Sequence, residues 1–199
     1  MLKICYLNVQ ASSTTAKKLL LKGACHNFIT GGKNMNPFLM KFVNDGFFNE
    51  AVGEHIDAAI QNGESVIVAG HRSTGTRPFM ANLMAIAKKT HPAVQVKKAE
   101  DLEKEAKYFL IPGIPNIDFE ALIYDAIKIP DTSIISIKEP EQPLSLMKLF
   151  KKLNKEEGPT TKVFHQIECD KKDGVPFVSK VTTFSMDDKG KVKRENLDF

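Results

Sequence analysis

An α/β domain with a mostly parallel sheet is predicted by three features of the chain. Short continuous apolar runs, Ser65–Ala69 and Ser133–Ile137, have the length and composition of strands buried on both faces. Amphipathic helical stretches alternate with them, the sharpest being the stripe of Phe119, Leu122, Ile123, Ala126 and Ile127. Two turn-bearing segments, Lys171–Gly174 and Asp187–Gly190, flank a strand at Phe177–Phe184, so antiparallel hairpin strands are expected at the C-terminal end.

The elements follow from their punctuation. Ile4–Val9 reads as a strand and Thr14–Lys22 as a short helix, with a loop at Gly31–Asn34. Asn36-Pro37 is an N-cap followed by proline at the first helical position, and Gly46 closes that helix. Asn49 caps a second helix, Glu50–Gln61, with Val52, Ile56, Ala59 and Ile60 on one face. After the strand Ser65–Ala69, a loop with two glycines leads to a helix from about Pro78 to Lys89. Val94–Val96 is a strand, Ala99–Lys107 a polar helix or loop, and Tyr108–Ile111 a further apolar run. Asp118 caps the next helix, which Pro130-Asp131 ends before a strand at Thr132–Ile137. Pro143 opens a helix to Leu153, and Lys162–Ile167 is a strand.

The length of 199 residues, with 42% hydrophobic and 26% charged, suits one globular domain and excludes collagen, disordered-tail and disulfide-scaffold classes. No apolar run approaches the ~20 residues of a membrane-spanning helix. Three cysteines, Cys5, Cys25 and Cys169, without C-x-x-C spacing, point to a reducing compartment and no zinc site. The net charge of +4 is unevenly placed: no acidic residue precedes Asp45, while six lysines do. This basic leader lacks the interleaved aromatics of a nucleic-acid surface, so nucleic acid is not the favoured partner.

Gly70 and Gly75 stand at the spacing of a phosphate-binding loop, between a buried strand and a helix. Such a loop turns backbone N–H groups toward an anion at a helix N-terminus. Gly70, Arg72, Ser73, Thr74, Gly75, Thr76 and Arg77 are therefore the candidate anion- or nucleotide-binding residues. The chemical positions depart from the pattern: Thr76 stands where a lysine reaches the phosphates, and Arg77 where a small hydroxyl holds magnesium. A glycine turn without a ligand is the plain alternative.

The order of segments from Phe38 to Gly70 resembles the entry to the RecA-like domain of the secretion ATPases, the hexameric motors of type II and type IV secretion, conjugation and pilus assembly. Further segments are similar in order. Ala99–Glu103 resembles the family's acidic box, Leu122–Ile135 its "L-R-x-x-L-R-x-x-P-D-x-I-I" run, Gly158–Gln166 its histidine box, and Asp173–Thr182 its late hairpin, with Asn196–Phe199 similar to a closing strand.

The resemblance implies a RecA-like three-layer domain over 36–199, preceded by a basic leader or remnant linker over 1–35. It also implies that Glu100 and Asp101 would serve magnesium and water and that His165 would sense phosphate. The catalytic positions are degraded: the Walker B glutamate position falls on Ser136-Ile137, with Glu139 or Glu141 able to substitute only in a shifted strand. The expected function is a non-hydrolysing partner or regulator in a secretion or conjugation system. That role implies a protein partner, a possible oligomer, and a cytoplasmic or membrane-peripheral location. No metal or cofactor is expected. The alternatives are an active atypical P-loop NTPase using Arg77, Glu100, ATP and magnesium, or an unrelated α/β binding module.

Overall fold

The protein is described by a computed structural model over residues 35–199. The expected strand at Ile4–Val9 and helix at Thr14–Lys22 lie outside the described residues.

Five helices and seven strands follow one another as α1 (Pro37–Asn44), α2 (Glu50–Gln61), β1 (Ser65–Ala69), α3 (Thr76–Thr90), β2 (Ala93–Gln95), β3 (Tyr108–Ile111), α4 (Phe119–Lys128), β4 (Ser133–Lys138), α5 (Leu146–Glu157), β5 (Phe164–Lys172), β6 (Val175–Met186) and β7 (Val192–Asn196). One sheet contains all seven strands in the order β2-β3-β4-β1-β5-β6-β7. β1 to β5 are mutually parallel, and β6 and β7 extend the sheet antiparallel. The expected combination of a parallel α/β sheet and C-terminal hairpin strands is present.

Capping explains most helix starts. Asn36 accepts from Phe38 N–H, Asn49 from Val52 N–H and Asp118 from Ala121 N–H. Several boundaries differ from the sequence expectation for local reasons. α3 begins at Thr76 rather than Pro78, because Gly75 in the left-handed region (φ 77°) lets the helix start immediately after it. α5 begins at Leu146 rather than Pro143, since Glu139–Gln142 first closes a turn whose ends form an isolated bridge. β5 and β6 are longer than expected, because hairpin pairing carries them to the turn at Asp173-Gly174. The closing strand is Val192–Asn196, so Asn196–Phe199 falls almost wholly after it.

The crossovers set the layers. The chain moves from β1 to β2 in one direction along the sheet and from β3 through β4 to β5 in the other. With right-handed connections, these opposite directions put α3 on one face and α4 and α5 on the other. Packing agrees: α1, α2 and α3 contact one another, as do α4 and α5. β1 is buried at all five positions.

On the α1–α3 face, Phe42, Phe47, Phe48 and Phe79 form one aromatic cluster with ring centroids 5.2–6.0 Å apart. Phe79, fully buried, belongs to α3, while the other three come from α1 and the connection to α2. Val178 N–H donates to Phe47 O at 2.7 Å, which ties that connection to β6. Phe79→Ala should therefore destabilise the domain by about 3–5 kcal/mol, measured by urea unfolding. A change below 1 kcal/mol, roughly the scale of a surface substitution, would show that the cluster does not hold α3 to the sheet.

Candidate functional site at the sheet switch point

β1 and β4 are neighbours, yet the chain leaves β1 toward α3 on one face and leaves β4 toward α5 on the other. Ligand crevices of open α/β sheets form outside the carboxyl ends of strands at such a point. A cleft of about 530 Å³ lies there, lined by Gly70, His71, Lys138, Glu139, Pro143, Lys148 and neighbouring residues.

The glycine loop forms one wall. Gly70 has φ 151° and approaches β5 closely; a Cβ there would lie 2.6 Å from Cys169 O and 2.7 Å from Thr74 Oγ1. The irregularity in β5 pairing between Glu168 and Cys169 falls at the same place. Arg72–Thr74 then makes one 3-10 turn before Gly75. His71 O is the hub of this turn: it accepts from Thr74 N–H at 2.9 Å and Thr74 Oγ1 at 2.7 Å, with Thr76 Oγ1 at 3.5 Å. Thr74 and Thr76 are buried, and their side chains lie against Gly70. The hydroxyls of Thr74 and Thr76 turn inward, to His71 O and Glu139 Oε1. Ser73 stays exposed, where its N–H and hydroxyl engage His71 Nδ1 at 3.3 and 3.1 Å.

Glu139, one residue past β4, supplies the carboxylate of the site. Its side chain is 1% exposed. Arg77 grips it with two bonds, Nε to Oε1 at 3.1 Å and Nη2 to Oε2 at 2.8 Å, and Thr76 Oγ1 lies 3.3 Å from Oε1. Arg72 Nε stands 3.6 Å from Oε2. The paired Arg77 guanidinium holds the carboxyl below the usual glutamate range, against the opposing effect of burial. Sequence reasoning placed this carboxylate ambiguously. The gapless Walker B position, Ser136, sits mid-strand and donates to Ile111 O at 2.8 Å, while the acidic group arrives three residues later, where β4 ends.

The seven candidate loop residues thus all fall within the segment Gly70–Arg77 that follows β1, and of them Gly70 lines the cleft. The other three candidates are elsewhere. Asp101 and Glu100 sit on a 3-10 turn (Ala99–Glu103) after β2, the outermost strand, three strands or about 14 Å from β1 across the sheet. Asp101 is committed to its own turn: its carboxylate accepts from Lys104 Nζ at 2.6 Å and from Lys97 N–H at 2.9 Å, which together lower it to about 2. Glu100 is exposed and lies 3.8 Å from Lys98. His165 pairs with Val66, four residues or about 13 Å before the loop along the strand.

His165 has a different setting. Its Nε2 meets Glu64 Oε2 at 2.6 Å, and its Nδ1 lies 3.0 Å from His55 Nε2 and 3.2 Å from Thr183 Oγ1. Nothing in the sequence spacing joined these four residues, because α2, β5 and β6 bring them together over separations of up to 128 residues along the chain, from His55 to Thr183. Burial and the adjacent His165 lower His55 to about 4. Among the described residues, no group of three His, Cys, Asp or Glu is placed to hold a metal ion. Cys169 is buried, and burial pushes its thiol up to about 12, which disfavours the thiolate.

No protein-family model matches the chain, and no curated protein matches it. Among the described residues no helix is long and apolar enough to cross a membrane.

Two predictions follow from these contacts. Arg77→Met strands the Glu139 carboxylate and should destabilise by about 2 kcal/mol, less than a fully buried pair because the guanidinium is half exposed. Adding Glu139→Gln should recover part of that loss in a double-mutant cycle. The depressed folded carboxyl makes the clamp fully effective above the ordinary glutamate value and lost as pH falls through the lower folded value; an acid titration of stability in wild type and Glu139→Gln checks this. His55 has the opposite protonation logic. Between about 4 and its ordinary 6.5 the unfolded chain binds a proton that the folded chain refuses. Stability should drop with acidification across that window, and His55→Gln should flatten the drop.

Proposed function

We propose that the chain is a RecA-like domain that does not hydrolyse ATP and serves as a protein partner or regulator within a secretion or conjugation apparatus. The parallel order β2-β3-β4-β1-β5, with the glycine loop after a strand flanked by β4 and β5, supports the RecA-like reading. So does the collinear run of similar segments from Phe38 to Thr182.

One observation carries the loss of hydrolysis: Arg77, at the position of the magnesium-binding hydroxyl, is bonded to both oxygens of Glu139. Phosphoryl transfer requires positioned cations on the phosphates and a carboxylate available to the metal or the attacking water. Here the cation neutralises the carboxylate, and the Thr74 and Thr76 hydroxyls turn inward to His71 O and Glu139 Oε1. The atypical-NTPase alternative uses Arg77 with Glu100, and Glu100 lies across the sheet on an exposed turn.

Calorimetric titration with millimolar Mg-ATP should give no saturable heat, and phosphate release should equal the buffer rate. Turnover that disappears in Glu139→Gln would overturn the proposal. Affinity capture from cells carrying a secretion or conjugation system should recover a component of that system, and recovery of none would remove the partner role.

A further inference from the structure

At the opposite, amino-terminal ends of β1, β4 and β5 lies a second recess, of about 550 Å³. Two lysines converge there. Lys162 Nζ donates to Ile129 O at 2.6 Å and to Thr132 Oγ1 at 3.3 Å, and Lys107 Nζ donates to Asp131 O at 3.1 Å. All three acceptors belong to the turn between α4 and β4, so one turn draws both ammonium groups into one recess.

Neither ammonium is held in an ion pair. Three carboxylates and a third lysine, Lys128, line the recess with them. Glu64 is engaged by His165 at 2.6 Å and Glu157 by Lys128 at 3.1 Å. Asp131 makes no ion pair with either lysine, and among the described residues neither Lys107 nor Lys162 has a carboxylate in ion-pair contact. Burial, then the field of Lys107, lowers Lys162 to about 8, with Asp131 only partly opposing them. An ammonium has three donors. Lys162 has used two and Lys107 one, which leaves donors available for a further acceptor. Thr160 adds to them: its Oγ1 accepts from Lys162 N–H at 3.2 Å, and its own hydroxyl hydrogen remains to donate.

We propose that this recess binds a phosphate dianion, either inorganic phosphate or a small phosphate monoester, between Lys107 and Lys162. Two converging ammonium groups match a doubly charged tetrahedral anion, whereas a carboxylate neutralises only one of them. A single phosphate occupies a small part of the volume, and the remainder suits the organic portion of an ester. The site lies at the other end of the sheet from the glycine loop, and it stands whether or not the domain belongs to a secretion apparatus.

The test uses the wild-type chain. Reductive methylation with formaldehyde and cyanoborohydride at about pH 8, mapped by mass spectrometry, reads the exposure and neutral fraction of each amine. Inorganic phosphate and glycerol 3-phosphate should slow modification of Lys162 and Lys107 selectively, while acetate at equal ionic strength should not. Calorimetry in the same buffers separates the sources. About tenfold tighter binding of the ester (roughly 1.4 kcal/mol) assigns the site to phosphate monoesters, and equal affinity assigns it to the inorganic ion. Lys162→Met and Lys107→Met should each weaken binding about tenfold or more, with folding checked by circular dichroism. The wild-type protection stands if either variant fails to fold. No protection of Lys162 by either phosphate at millimolar concentration, or equal protection by acetate, would overturn the proposal.

Discussion

A carboxylate as buried as that of Glu139 must be neutralised and hydrogen-bonded, because an isolated charge in a protein interior is held only at a penalty of several kcal/mol. The rest of the switch point follows from that requirement. Arg77 is the neutralising group, and it lies in the first turn of α3, so the clamp fixes α3 relative to the end of β4. Fixing α3 in turn positions Phe79 two residues later within the aromatic cluster that joins α1 and α2 to the sheet. One charge pair and one aromatic side chain within the first turn of the same helix therefore tie α3 both to the end of β4 and to the aromatic cluster.

The clamp also explains why the glycine loop has its particular shape. Gly70 must pass close to β5, where any Cβ would meet Cys169 O, and Gly75 must adopt a left-handed conformation to turn into α3. Both glycines are needed for the path of the chain whether or not an anion is bound. The two-glycine spacing is therefore accounted for by the backbone alone.

Much of the fold was legible because its signals are local. Asn36, Asn49 and Asp118 cap the helices expected of them, and the apolar runs at Ser65 and Ser133 are neighbouring interior strands. The loop residues were legible for the same reason, being contiguous. The partners of the loop were not. Glu139 lies 62 residues from Arg77, in a segment where two glutamates flank Pro140, and only the end point of β4 decides which one turns inward. The collinear resemblance also set Asp101 and His165 beside the loop in expectation. The sheet separates them from it, because β2 is an outer strand and His165 enters β5 at its beginning. The His55–Glu64–His165–Thr183 cluster and the Lys107–Lys162 pair have no sequence signature, since each is assembled from helix, loop and strand residues far apart in the chain.

A site that works on a nucleotide keeps its charges unpaired until the ligand arrives, and the folded protein bears that strain. In this chain the charges at the switch point face each other. Arg77 holds both oxygens of Glu139, and Thr76 hydrogen-bonds inward to Glu139 rather than reaching out. The two positions are coupled: a lysine at position 76 beside Arg77 would set two cations around Glu139, and a small hydroxyl at 77 alone would leave the carboxylate without its bidentate partner. The clamp thus ties loop, strand and helix together at the switch point, with Arg77 on α3 bonded to both oxygens of Glu139 at the end of β4.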